Sequence, residues 1–458
     1  MQRRRCKTDA KLRLCGSVAR TQRCAHRVPG RVLQALTGLY VAFGAGKPMR
    51  ILITDGNERA ALAAARSLVH AGHRVFVTAP TVLSLAGVSR HVSARAVRID
   101  PLADPAAYVG ELRKIVEQDL IDILLPITDA SVEAILERRH ALPQSVVVPF
   151  PDLSSYRAAS DKAAILALAQ ACGFAVPETR VLDSAKQCED EIPADFFPAV
   201  VKPHRSLITA ATTRYKLTVT QVADVAELRK AVGTLRPSAF PVLVQRRIAG
   251  VGEGLFVLRW GGQTVALFAH RRLREKPLTG GVSVYRESIA LDEQLVGPGL
   301  RLLNAFGWEG VAMIECKREV ETGRYFLMEI NGRFWGSLQL AIDAGVDFPV
   351  LLIRSVAGDQ GLISHDYRIG VRSRWFWGDV DHLYLRLRDG NGSRMTAVRD
   401  FLSSFIRRDR GEIWRWNDPL PFALETLQWL RALTPGTGGA KSRSRAVPTE
   451  SAPDSAVL

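Results

Sequence analysis

Tyr325-Phe326-Leu327-Met328-Glu329-Ile330-Asn331-Gly332-Arg333-Phe334-Trp335-Gly336-Ser337 is the stretch whose reading decides the fold. Its first part is rich in residues that favour a pleated, half-buried surface, which predicts a strand. Side chains on a strand alternate faces. Glu329, Asn331 and Arg333 therefore point one way, and Ile330 and Gly332 the other. A carboxylate, an amide oxygen and a guanidinium on one face make poor core material. They are well suited to holding a Mg²⁺ beside an anionic oxygen, because hard cations take oxygen ligands and arginine grips phosphate with a planar fork.

A second carboxylate lies upstream, in the apolar run Val311-Ala312-Met313-Ile314-Glu315-Cys316. Glu321-Thr322-Gly323 between the two runs reads as a turn. A hairpin centred on Thr322 puts Glu315 directly opposite Glu329, with Cβ atoms roughly 5 Å apart. Two like charges there are unfavourable unless a cation sits between them. The competing reading is a solvated hairpin face with incidental charges.

Working outward, 458 residues are too many for one ordinary core and imply several domains. Hydrophobic residues at 47% and charged residues at 24% are those of a globular protein, and no run of 18 or more apolar residues predicts a membrane span. The net charge of +16 is misleading. Residues 1–48 hold eleven Lys and Arg against the single acid Asp9 and so carry most of it. The body is only mildly basic, which speaks against nucleic acid as a partner. Residues 1–48 read as a disordered basic extension or the product of a mis-assigned start. The alternative is a targeting segment, with an apolar part at 32–45. Cys6, Cys15 and Cys24 with His26 lack zinc-finger spacing. Cys172, Cys188 and Cys316 in the body suggest no disulfide framework, so a cytoplasmic setting is expected. Residues 434–458 read as a disordered tail.

Strands at 50–56, 73–78, 94–99, 121–126 and 145–149 alternate with helices at 58–71, 105–118 and 129–141. This predicts a parallel sheet covered on both faces. Ligands on such sheets bind beyond the strand C-termini, which nominates Asp55, Gly56, Thr128 and Asp129. No GxGxxG follows the first strand, so a dinucleotide dehydrogenase is not supported. Asp161 or Ser160 caps a helix from Ala163 to Cys172, just after Lys162, and Phe197-Pro198-Ala199-Val200-Val201-Lys202 is a strand delivering a lysine to a cleft. Residues 241–248 form the next strand, 250–254 a flexible turn, and 255–270 a hairpin across Gly261-Gly262. Residues 271–283 read as a cationic glycine-containing loop, either a lid or an exposed surface loop. The second half is thus α+β. From about residue 361 five of the eight tryptophans appear, mixed with Leu and Arg. They imply either packing against the neighbouring domain or a peripheral membrane contact.

The order of Asp161-Lys162, Val200-Val201-Lys202, Val244-Gln245-Arg246-Arg247-Ile248-Ala249-Gly250, Ile314-Glu315 and the 328–337 stretch resembles the ATP-grasp superfamily of ATP-dependent carboxylate ligases, over about residues 50–360. The resemblance implies a pre-ATP-grasp Rossmann-like α/β domain at 49–150, an N-terminal lobe at 151–242 and a C-terminal lobe with the metal site at 243–360. A Trp-rich, small helical C-terminal extension would occupy 361–433. The implied activity phosphorylates a carboxylate with ATP, giving ADP and an acyl phosphate, which an amine then attacks with release of phosphate. ATP and Mg²⁺, or Mn²⁺ in its place, are the implied cofactors, and a small-molecule carboxylate and amine the partners. A homodimer is compatible with the pattern.

By the same resemblance Lys162 and Lys202 would hold ATP phosphates. Gln245, Arg246, Arg247 and Ile248 would form the hinge against adenine, and Glu253 would sit near the ribose hydroxyls. Glu315, Glu329 and Asn331 would bind metal, Arg333 would face the transferred phosphoryl, and Arg286 would pair with the substrate carboxylate. Two departures stand out. The run at 203–213 has no glycine where many members carry a phosphate loop, and Arg246 replaces a commonly acidic hinge residue. The alternatives are a carboxylase or carbamoyl-phosphate-type enzyme of the same fold, and an ATP-binding scaffold without turnover. No biotin-carrier motif or amidotransferase segment accompanies the first.

Overall fold

The computed structural model describes residues 47–433 apart from 189–191, 205–206, 211–212, 217–218, 360, 362–363, 390–392 and 408. The terminal segments expected to be disordered, with Cys6, Cys15, Cys24 and His26, lie outside the described residues. The chain opens with β1 (Arg50–Ile53), α1 (Arg59–His70), β2 (Arg74–Ala79), β3 (Val92–Ala96), α2 (Pro105–Gln118), β4 (Ile123–Leu125) and α3 (Asp129–Glu137). The four strands form a parallel sheet in the order β3-β2-β1-β4. Alternation on β1 explains why both faces are covered: Ile51 and Ile53 enter a core with the alanine-rich face of α1, while Leu52 enters another beneath α2 and α3. The strand expected at 145–149 is a single bridge from Val147 to Ile123.

Helices α4 (Leu153–Ser160) and α5 (Lys162–Ala171) follow, with Asp161 capping α5 through the amides of Ala163 and Ala164. β5 (Thr179–Leu182), β6 (Ala199–Pro203), β9 (Thr220–Val222) and β10 (Val242–Arg246) make an antiparallel sheet in the order β5-β10-β6-β9, backed by α6 (Val225–Gly233). Between β6 and β9 the glycine-free run is not an open loop: β7 (Leu207–Ala210) and β8 (Thr213–Lys216) pair as a hairpin. Its turn at 211–212 lies outside the described residues.

The largest sheet has seven strands. Its middle is β11 (Gly250–Trp260), β12 (Gln263–Lys276) and β13 (Val282–Ser288). After α7 (Glu293–Ala305) the sheet is extended by β14 (Gly310–Glu319) and β15 (Tyr325–Asn331) on the β11 side. Two expectations are corrected here. Residues 250–254 are strand, not a flexible turn, and their glycines serve close approach: a Cβ at Gly250 would lie 2.4 Å from the Arg318 carbonyl oxygen. Residues 271–276 continue β12, so the loop is confined to 277–281. The Gly261-Gly262 turn is as expected, with φ of 59° and 77°.

Helices α8 (Leu338–Ala344) and α9 (Phe348–Val356) join α1 and Phe334 and Trp335 in one core, so the parallel sheet and the large sheet share their apolar interior. The C-terminal segment carries β16 (Arg372–Arg374), α10 (Phe376–Arg388), α11 (Arg394–Ile406), β17 (Arg410–Gly411) and α12 (Leu420–Leu433). It is more than helical, since β16 pairs with β13 and β17 with β16. Its aromatics pack largely on one another. Trp377 stacks on Trp429 at 4.1 Å and Trp375 donates to Glu425 at 2.7 Å, whereas Trp416 stays 88% exposed. No helix among the described residues is long and apolar enough to cross a membrane.

Candidate functional site

β14 and β15 pair so that Glu315 faces Glu329, as the hairpin reading requires, but the route differs. The outer pairs Arg318–Tyr325 and Cys316–Leu327 centre the turn half a residue before Thr322, and a bulge after Glu315 leaves Met328 as an extra residue. Without the bulge, Glu329 would share the face of Tyr325 and Leu327, which are buried in the core. With it, Met328 and Glu329 both reach a cavity of about 410 Å³. Past the strand end, Gly332 packs against Trp308: a Cβ there would lie 2.3 Å from the indole. That close approach brings Arg333 back to the cavity.

The polar groups form one connected set. Asn331 donates to Glu329 Oε1 at 3.0 Å and accepts from Arg333 at 3.2 Å. Arg333 ion-pairs across the cavity rim with Asp129 on α3 at 3.0 Å, and the Tyr156 hydroxyl donates to the same carboxylate. The guanidinium therefore touches the strand C-terminal rim of the parallel sheet directly. Asp55 of that rim is structural, accepting from the Thr128 amide and the Ser131 hydroxyl.

Lys162 stands 3.6 Å from Glu329, and Lys202 lines the cavity. Burial pushes the Lys202 ammonium down, with Glu329 opposing and Lys162 adding to the fall. Burial raises both acids, but for Glu329 the charges of Lys162, Lys202 and Arg333 and the Asn331 amide outweigh it, holding its carboxyl below the ordinary range. Glu315 stays above that range, because burial and Glu329 together exceed the effect of Arg272. The two facing carboxylates are thus pushed apart, as expected of coupled like charges.

Gln245, Arg246, Arg247 and Ile248 line the same cavity where the chain passes from β10 of the small antiparallel sheet to β11 of the large one. The departure at Arg246 is compensated, since its guanidinium pairs with Glu178 at 3.1 Å and lies over the Phe196 ring. Two expected residues go elsewhere. Glu253 falls on the opposite face of β11, paired with Cys316, where it is buried and accepts from the Tyr325 hydroxyl at 2.9 Å. Arg286 on β13 is 1% exposed behind the cavity wall, ion-paired with Glu412 at 3.0 Å, and burial pushes its guanidinium down to about 10.

Arg272 was not legible as a site residue. From β12 it reaches Glu315 at 2.6 Å, Glu275 at 2.8 Å and the Gly281 carbonyl at 3.1 Å. Gly252 makes room for it, since a Cβ there would lie 2.8 Å from the Arg272 Cδ. A glycine opposite an arginine on paired strands was the signal available.

The donor set suits a hard cation held jointly with phosphate oxygens. Among the described residues no group of three or more His, Cys, Asp or Glu stands ready to hold a metal alone. Two carboxylates on facing strands, flanked by Lys202, Arg272 and Arg333, match Mg²⁺, which is bound through one or two carboxylates with substrate phosphates completing the shell.

Residues 241–375 match the family model described as "ATP-grasp in the biosynthetic pathway with Ter operon". No curated protein sequence matches the chain. Among solved structures, the L-amino acid ligase from Bacillus licheniformis superposes with a TM-score of 0.53 at 16% identity, over 68% of this chain and 74% of that one. N5-carboxyaminoimidazole synthetase from Staphylococcus aureus gives 0.54 at 12% identity, over 72% and 82%. Biotin carboxylase from Campylobacter jejuni gives 0.53 at 16%, over 71% and 75%.

Proposed function

From the match of residues 241–375 to an ATP-grasp family model and the fold shared with ATP-grasp ligases, we propose that this chain is an ADP-forming ligase that activates a substrate carboxylate as an acyl phosphate for attack by an amine. The observation that carries the reading is the convergence of Glu315, Glu329, Asn331 and Arg333 with Lys202 on one cavity. The hinge residues 245–248 take the adenine end of ATP, and Lys202 and Lys162 its phosphates. Glu315 and Glu329 hold Mg²⁺, which neutralises phosphate charge and aligns the phosphates when bound. Arg333, fixed by Asp129 and Asn331, faces the oxygen that accepts the phosphoryl group.

Chemistry of this kind is mostly positioning and charge neutralisation, so removing one fixed charge has a large effect. Purified protein with Mg²⁺, ATP and a pool of carboxylates and amines should release ADP and phosphate. Glu329→Gln and Arg333→Ala should each lower that rate by about a hundredfold or more while the fold is retained. ATP binding without substrate-stimulated ADP release in the wild type would instead support the scaffold reading.

A further inference from the structure

A second cavity, of about 390 Å³, adjoins the first. Arg272 and Glu275 line both, and the 277–281 loop divides them: Leu278 lines the second, and Thr279, Gly280 and Gly281 the first. The far wall of the second cavity comes from the C-terminal segment, with His382 and Arg386 on α10 and Asp400 on α11. That far wall lies beyond the family match, which ends at residue 375, while the strand side of the cavity lies within it.

Its polar groups divide into those already engaged and those left open. Arg274 gives its guanidinium to both Asp379 oxygens, at 2.8 and 2.7 Å, and to the Asp400 carbonyl at 2.7 Å, so it holds α10 and α11 to the strand. Arg386 is exposed and has no hydrogen-bond or ion-pair partner among the described residues, and the same holds for the Asp400 carboxylate. His382 places Nδ1 2.7 Å from the Glu275 carbonyl oxygen. A carbonyl only accepts, so Nδ1 carries the proton and Nε2 keeps its lone pair. Burial also holds the imidazole below its ordinary value, against the pull of the Glu275 carbonyl and Asp379 and with the help of Arg274 and Arg386.

We infer that this cavity takes the nucleophile of the ligase reaction, an amine bearing its own carboxylate, with that carboxylate on Arg386, the ammonium drawn to Asp400, and one ammonium proton passing to His382 Nε2. The inference rests on the ligase reading. The neutral amine then attacks the acyl carbon. The C–N bond forms as the C–O bond to phosphate breaks, and the remaining proton leaves with the phosphate as hydrogenphosphate. Arg272 and Glu275 line both cavities, so the acceptor is placed next to the cavity in which the carboxylate is activated.

Two measurements on the full chain test this. Saturation-transfer NMR with each proteinogenic amino acid should show binding to the wild type for a subset of them, and Arg386→Gln should abolish it. Hydroxylamine, a small nucleophile that is already neutral near pH 7 and needs no anchoring carboxylate, should be converted to hydroxamate by the wild type, and the ratio of amino-acid transfer to hydroxamate formation should fall in Arg386→Gln and in His382→Asn. Transfer to the bound amino acid should show a KM raised about tenfold or more in Arg386→Gln and a lowered kcat in His382→Asn. Absence of amino-acid binding in the wild type, unchanged binding in Arg386→Gln, or equal loss of both reactions in the two variants would overturn the inference. Amino-acid binding lost in Arg386→Gln, with no hydroxamate from the wild type, upholds the site and counts against the ligase reading alone.

Discussion

Arg272→Met tests how the site balances its charges before any metal arrives. Glu315 and Glu329 are register partners, so their Cβ atoms lie about 5 Å apart. Two ionised carboxylates at about that separation repel by about 3 kcal/mol at an effective dielectric of about 20. Arg272, 2.6 Å from Glu315 and mostly buried with it, offsets that repulsion. Methionine keeps the apolar stem and removes the fork. Lys162 and Lys202 still serve Glu329, so Glu315 is left to meet the mismatch. Its carboxyl already titrates above the ordinary range, and losing Arg272 raises it further. The folded chain then binds more protons than the unfolded chain, and its stability falls as pH rises. Thermal unfolding of the variant should therefore lie close to wild type near pH 5 and be weaker by about 2–3 kcal/mol near pH 8. Mn²⁺ should restore more stability to the variant than it adds to the wild type, because a cation at Glu315 no longer shares that carboxylate with Arg272. A deficit of the same size at both pH values, or an equal response to Mn²⁺, would refute the reasoning.

Gly252→Ala should disturb the same residue from the other strand. The new Cβ would meet Arg272 Cδ at 2.8 Å, and Arg272 is pinned by Glu275, Glu315 and Gly281. A loss of about 1–3 kcal/mol on chemical denaturation is expected, with ADP release falling about tenfold through misplacement of the guanidinium; unchanged turnover would show that Arg272 does not act in the first cavity. Glu425 accepts from the Trp375 indole at 2.7 Å, and burial pushes its carboxyl up to about 7. Its folded value exceeds its unfolded one, so wild-type stability should fall between about pH 4.5 and 7 by up to about 3 kcal/mol. Glu425→Gln keeps the acceptor and should flatten that dependence, and an unaltered pH profile on denaturant titration would count against it.

The pairing of Glu315 with Glu329 was legible because hydrophobic runs and a turn signal set approximate register. The bulge at Met328 was not, since a one-residue shift changes no residue type and shows only in which side chains the core receives. The place of Lys202 at the cavity was legible from its strand signal, whereas Lys162 and residues 245–248 were singled out only through the family resemblance. Glu253 was misplaced because three glycines in 250–254 read as a turn, whereas pairing with β12 and β14 makes them strand positions that admit neighbouring chain. Arg272 sat in a run that looked like a cationic loop, and the strand it belongs to is defined by long-range pairing. Arg286 was read toward a substrate because its partner, Glu412, comes from a distant segment with no detectable motif.

Glu412 also changes what the C-terminal segment is for. It ion-pairs with Arg286 of the large sheet and with Arg59 of α1, and Arg59 lies over the Trp375 ring at 4.2 Å while lining the first cavity. Nearby, Asp418 pairs with Arg66 of α1 at 2.8 Å, and Arg415 with Asp343 of α8 at 2.7 Å. A buried arginine such as Arg286, whose counter-charge among the described residues comes from another segment, cannot lose that segment without leaving a charge in an apolar interior, a penalty of several kcal/mol. The segment thus supplies charge compensation to residues on both sides of the first cavity and side chains to the second. Positions beyond residue 375 therefore line the second cavity and balance charges beside the first, and their charges must be counted with those of Glu315, Glu329 and Arg333 when the site is altered.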